Sequence, residues 1–180
     1  MQQRRARPRP SGRRMLERMN TVIASPDVSI RAGAVPEDVE HCADLWVRAL
    51  QARDGAVDDA VMRRRVRDAF LAPIVRFAVA TAPRAGFSLV ESIPEDPAAA
   101  LLHYLAVDPE GSGRGVGRAL LEDAAHRTRE AGFTSLILEV RTANDRAISL
   151  YTGFGFVPFG SPTPHPTAGY PMQTYALRLA

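Results

Sequence analysis

The residues Gly111-Ser112-Gly113-Arg114-Gly115-Val116-Gly117 stand between an apolar run ending at Val107 and an amphipathic run starting at Val116, and their types suit the holding of a phosphate group. Glycine lets the backbone come close to a ligand. The first amides of a following helix have no intrahelical partners, so they and the positive end of the helix dipole can receive an anion. Two named phosphate loops are excluded by spacing. A P-loop ends in Gly-Lys-Ser/Thr, and the chain contains no lysine. A dinucleotide turn needs Gly-x-Gly-x-x-Gly, whereas Val116 and Arg118 stand three residues beyond Gly113 and Gly115.

What remains is Val107-x-Pro109, then Gly113, Gly115 and Gly117 alternating with Arg114 and Val116, and then Arg118-Ala119-Leu120-Leu121. This pattern resembles the acyl-CoA pyrophosphate loop of the GNAT superfamily of N-acetyltransferases. A second block, Asn144-Asp145-Arg146-Ala147-Ile148-Ser149-Leu150-Tyr151 followed by Gly153-Phe154-Gly155-Phe156, is similar to that family's Asn-x-x-Ala-x-x-Leu-Tyr-x-x-x-Gly-Phe. The resemblance covers about residues 30 to 179. It implies acetyl-CoA as co-substrate, held by Leu105, Ala106 and Val107 on a strand splayed from its neighbour, by Ser112, Gly113, Arg114, Gly115, Val116, Gly117 and Arg118, and by Asn144 on the pantetheine arm. The family's loop usually opens with Gln or Arg where Ser112 stands here, which leaves Arg114 and the backbone amides to meet the charge.

Acyl transfer from a thioester to an amine needs a neutral amine, stabilisation of the carbonyl oxygen and a proton for the departing thiolate. The resemblance gives the last task to Tyr151. For the base the residues leave three candidates open. Glu139 lies in an apolar run, where burial would raise a carboxyl pKa, His103 titrates near neutrality, and Glu91 ends a strand. A water chain is a further route. The acceptor, a protein N-terminal amine or a small-molecule amine, is expected near the first two helices and the loops 93–100 and 160–171, with Trp46, Asp54, Asp58, Glu91 and Tyr170 as candidate lining. The alternative to an enzyme is a non-catalytic acyl-CoA sensor or interaction module built on the same fold.

Those residues need a scaffold. Alternating patterns predict strands at Val28 to Arg31, Ile74 to Thr81, Gly86 to Ser92, Leu101 to Val107, Ser135 to Arg141, Phe156 to Phe159 and Met172 to Leu179. Helical spacing predicts helices from Pro36 to Arg53, from Asp58–Asp59 to Phe70, from Val116 to Ala131 with Ala131 turned inward, and from Asn144 to Tyr151. The run Leu136–Val140 reads as a strand covered on both faces. This order is α+β: a mixed, mostly antiparallel sheet flanked by about four helices.

A chain of 180 residues with 46% apolar content has material for one core, here residues 25–180. Its net charge of +3 conceals an asymmetry. Seven arginines stand among the first 18 residues against Glu17, so the rest of the chain is acidic. Residues 1–24 read as a disordered Arg-rich tail broken by Pro8, Pro10 and Gly12. Nucleic-acid binding is not expected, because a basic stripe on the fold itself is the usual footprint. No membrane span, no secretory signal and no metal site is expected: apolar runs are short, Cys42 is the single cysteine, and the four histidines lack ligand spacing. A cytoplasmic setting is expected, and a homodimer is compatible with it.

Overall fold

The computed structural model describes residues 28–81, 85–111, 113–166 and 168–180. The expected tail at 1–24, the hairpin turn at 82–84 and Ser112 lie outside the described residues. Seven strands form one sheet: β1 (Ile30–Ala32), β2 (Ile74–Ala80), β3 (Gly86–Ile93), β4 (Asp96–Val107), β5 (Ser135–Arg141), β6 (Val157–Pro164) and β7 (Pro171–Arg178). Among the described residues four helices flank it: α1 (Val39–Asp54), α2 (Asp59–Ala69), α3 (Val116–Glu130) and α4 (Asp145–Phe154). The strand order is β1-β2-β3-β4-β5-β7-β6, antiparallel throughout except for β4 with β5. The expected mixed, mostly antiparallel sheet with four helices is thus observed.

The parallel β4–β5 pairing covers only Ala99↔Ser135, Ala100↔Leu136 and Leu101↔Ile137. Beyond it the two strands part, and β4 stays bonded to β3 as far as Val107↔Gly86. Backbone groups on the inner edges of the gap are therefore left for a ligand to pair with.

A second irregularity sets the faces. Leu89 pairs Tyr104 but Val90 pairs Leu102, so His103 is an extra residue, a β-bulge. Ala100 and Leu102 pack with Leu121 and Ala124 of α3, whereas Tyr104 and Ala106 pack with Cys42 and Leu45 of α1. Without the bulge, residues of equal parity would all face one way. The two sides of the sheet are closed by separate apolar clusters, one under α1 and α2, the other under α3 and α4, with Phe87 and Phe156 almost fully buried within them.

Several element boundaries differ from the sequence reading. Helix α1 starts at Val39, not Pro36, because the Asp38 amide bonds the Ala34 carbonyl at 2.9 Å and the Asp38 carboxylate accepts from Ala34 N at 2.8 Å, closing a turn ahead of the helix. The expected loop 93–100 is a tight turn at Pro94–Glu95 followed at once by β4. The first part of the expected loop 160–171 is strand, since β6 runs to Pro164 and takes in Pro162, on an edge strand that tolerates a missing N–H. Ala131 is exposed, and the inward positions of α3 are Val116, Leu120, Leu121, Ala124 and Thr128. Gly132 has φ +93°, the left-handed conformation expected of it.

Candidate active site

The gap between β4 and β5 opens into a cleft of about 470 Å3. Its floor is Leu105, Ala106 and Val107, one end is the start of α3, one side is α4, and the roof is α1. The glycine loop is shaped as its composition demands. Gly113 and Gly115 have φ +80° and +87°, and Gly115 precedes α3 in the left-handed region. No side chain caps α3, and its first helical bond is Ala119 N to Gly115 O at 3.0 Å. The amides of Val116, Gly117 and Arg118 thus have no partner within the helix. By contrast, α2 and α4 are capped by Asp58 on Val61 N at 3.0 Å and by Asn144 on Ala147 N at 3.3 Å. At Gly117 an added Cβ would lie 3.1 Å from Leu150, so glycine lets α3 and α4 close around the cleft.

Of the residues singled out in the sequence, Leu105, Ala106, Val107, Gly113, Gly115, Val116, Gly117, Arg118, Asn144 and Tyr151 all line this one cleft. Arg114 is exposed and is not part of the wall, so the cations that face it are Arg53, Arg118 and Arg146, with no carboxylate among the described wall residues. Sequence reasoning missed Arg53 and Arg146. The signal for Arg53 was present: Trp46, Ala49, Leu50 and Arg53 follow helical spacing and form one stripe of α1 facing the cleft. Arg118 is further held by Glu122 at 3.0 Å and lies 5.7 Å from the centre of the Phe154 ring.

Tyr151 is buried, 8% exposed, against Phe156, with ring centres 5.8 Å apart. Burial pushes its phenol up to about 12, and the cation of Arg53 opposes the shift. The phenol therefore stays protonated through the neutral range and enters as a proton donor. Asn144 uses Oδ1 for its cap, which leaves its NH2 to face a ligand.

The base candidates stand apart from the cofactor cleft. Glu139 is exposed, which corrects the expectation of a buried carboxylate. The cause is alternation: Leu136, Leu138 and Val140 turn to the α3 side, and Glu139 takes the opposite face, so β5 is covered on one face here. His103 and Glu139 lie two residues beyond the last parallel pair, one on each side of the gap. His103 Nδ1 is 2.8 Å from Glu91 Oε1, and its ring stacks on Tyr104 with centres 4.6 Å apart. Trp46 meets the same Tyr104 edge-on at 4.9 Å. Of the remaining candidate lining, Asp58 is spent on capping α2, while Asp54 and Tyr170 both contact Arg141.

Comparison with known proteins agrees with this geometry. The model of the acetyltransferase (GNAT) family matches residues 41–156. An uncharacterised protein of Mycobacterium leprae is 34% identical over 136 residues, which is 74% of this chain and 36% of that protein. The ribosomal protein bS18-alanine N-acetyltransferase of Escherichia coli is 39% identical over 72 residues, 40% of this chain and 47% of that protein. The chain thus spans less than half the length of these curated relatives. A Salmonella typhimurium structure determined with acetyl-CoA superimposes with a TM-score of 0.65 at 17% identity, over 86% of this chain and 95% of that one, a likeness of fold.

Proposed function

The chain belongs to the GNAT family of acetyltransferases, and from that premise we propose that it transfers the acetyl group of acetyl-CoA to a primary amine, on a protein N-terminus or on a small molecule. The observation that carries the reading is one cleft joining an uncapped, glycine-led helix start to a buried phenol. The amides of Val116, Gly117 and Arg118 receive the pyrophosphate, Arg118 and Arg146 add charge at the mouth, and the pantetheine arm lies along Leu105–Val107 with Asn144. Arg114 stands within this loop, between Gly113 and Gly115. The amine attacks the thioester carbon from the α1 side of the sheet, the C–S bond breaks, and the sulfur takes the proton of Tyr151.

For the proton lost by the amine we assign the pair of polar groups bordering the gap. His103, oriented by Glu91, and Glu139 both stand on the acceptor side, and either reaches the nitrogen directly or through water. The transfer chemistry belongs to residues 25–180, so a chain beginning at Thr21 should keep its CoA affinity. No helix among the described residues is long and apolar enough to cross a membrane, and a cytoplasmic setting suits a buried, unpaired Cys42.

The test is thiol release from acetyl-CoA against a panel of peptides, amino acids, polyamines and aminoglycosides. Release that depends on an amine supports transfer. Tight acetyl-CoA binding with release above hydrolysis for no amine would replace the enzyme by a sensor.

A further inference from the structure

The carboxylate of Asp54, the last residue of α1, gathers two cations. Arg53 reaches it with Nε on Oδ1 at 2.8 Å and Nη2 on Oδ2 at 2.7 Å, and Arg141 at the end of β5 adds Nη1 on Oδ2 at 3.0 Å. Arg141 in turn lies 3.9 Å from the centre of the Tyr170 ring, one residue before β7. One carboxylate therefore ties together α1, β5 and the approach to β7, three elements that border the side of the gap bearing Glu139. Arg53 belongs also to the wall of the cofactor cleft that holds Tyr151. Its Nε and Nη2 are committed to Asp54, which leaves Nη1 as the nitrogen that can face the cleft. Two guanidinium groups this close to one another repel, and the carboxylate between them removes the repulsion.

We propose that Asp54 is a positioning residue of the transfer site, holding Arg53 beside Tyr151 at the sulfur end of the cleft and Arg141 with Tyr170 as the wall of the acceptor entrance. This rests on the acetyl transfer proposed above and assigns the two halves of that reaction to one carboxylate. When the N–C bond forms and the C–S bond breaks, the sulfur departs with the electron pair and takes the phenol proton. The phenolate so formed is reprotonated with the proton the amine gives up. Negative charge thus passes from sulfur to phenolate, and the wall cation whose charge acts on that phenol is Arg53.

The experiment compares Arg53→Gln, Arg141→Gln, Asp54→Asn and the double variant Arg53→Gln/Asp54→Asn. Arg53→Gln should lower kcat about tenfold while CoA affinity stays within about threefold by calorimetry. Arg141→Gln should raise the acceptor KM with kcat retained. Asp54→Asn should show both effects, and the double variant should be no slower than Arg53→Gln alone. Multiplying losses, or Asp54→Asn with both parameters unchanged, would overturn the assignment. A readout free of turnover is the titration of the thiol of bound CoA, followed by thiolate absorbance. Its pKa should rise by about one unit, a tenfold loss of thiolate, in both Arg53→Gln and Asp54→Asn, and equal values in parent and variants would refute the role of Arg53. If the parent protein acetylates no amine, the proposed function fails, and this titration still decides whether Asp54 sets the charge at the sulfur.

Discussion

The guanidinium of Arg48 on α1 and the carboxylate of Asp108 just beyond β4 lie 2.9 Å apart, joining the roof of the cleft to the entry of the glycine loop. Asp108 also shapes that entry: Oδ1 accepts from Glu110 N at 3.1 Å, and its carbonyl accepts from Gly111 N at 2.9 Å. The Arg48 guanidinium beside it holds the carboxyl below the usual range. One side chain thus sets the single helical turn Pro109–Gly111 and fixes it to α1.

Removing that charge should loosen the loop without touching the phenol. Asp108→Asn should weaken acetyl-CoA binding by about 3- to 10-fold, the loss of about one charge-assisted hydrogen bond of ~1 kcal/mol. At saturating acetyl-CoA kcat should be retained. Calorimetry with CoA measures the first and initial rates the second, and unchanged affinity would show that the pair does not position the loop.

Gly115 adopts φ +87° where the chain turns into α3. A side chain there costs ~1–2 kcal/mol in backbone conformation alone, at a residue that lines the cleft. Gly115→Leu should therefore lose CoA binding while the protein still unfolds cooperatively, at a lower midpoint. A variant that binds CoA as tightly as the parent would remove the loop from the site.

Acid stability should carry the signature of the turn before α1. Asp38 receives both Arg31 guanidinium nitrogens at 2.7 Å and the Ala34 amide, and these hold its carboxyl down to about 2. A depressed folded-state pKa gives stability that is complete above the unfolded value of about 4 and is lost as pH falls toward 2. Asp38→Asn should be less stable than the parent at neutral pH, with the difference shrinking from pH 4 to pH 2. Denaturant midpoints across that range measure it, and a constant difference would contradict the assignment.

The cofactor half of the site was legible because its chemistry is local. Gly113 and Gly115 precede α3 and Gly117 is its second residue, and Asn144 to Tyr151 is one helix with its cap, so two short blocks that resemble the family's carried the inference. The acceptor half is built from distant pieces. A single bulge at His103 decides which face β4 turns to α1, and no residue type announces it. Glu139 sits among apolar neighbours in sequence yet is exposed, because alternation and not local hydropathy sets burial on a strand. Arg53 was hidden for a similar reason: a charged residue at the end of a helix reads as solvated until the carboxylate of Asp54, shared with Arg141, is seen to hold it.

Tyr151 is the sharpest test of the chemistry. Its hydroxyl stays protonated through the neutral range, so the thiolate can draw a proton from a donor that water does not replace in a cleft walled by Leu150, Ala147 and Trp46. Phenylalanine keeps the ring against Phe156 and removes only the oxygen. Tyr151→Phe should therefore lower kcat by about 10²–10⁴-fold, the range of a general acid, with CoA affinity nearly unchanged. Because the phenol pKa of about 12 lies far above the assay range, the parent's rate should show no alkaline limb from this group below pH 10. A Phe variant that turns over like the parent on a confirmed acceptor would take Tyr151 out of the mechanism and leave the thiolate to depart beside Arg53 unprotonated.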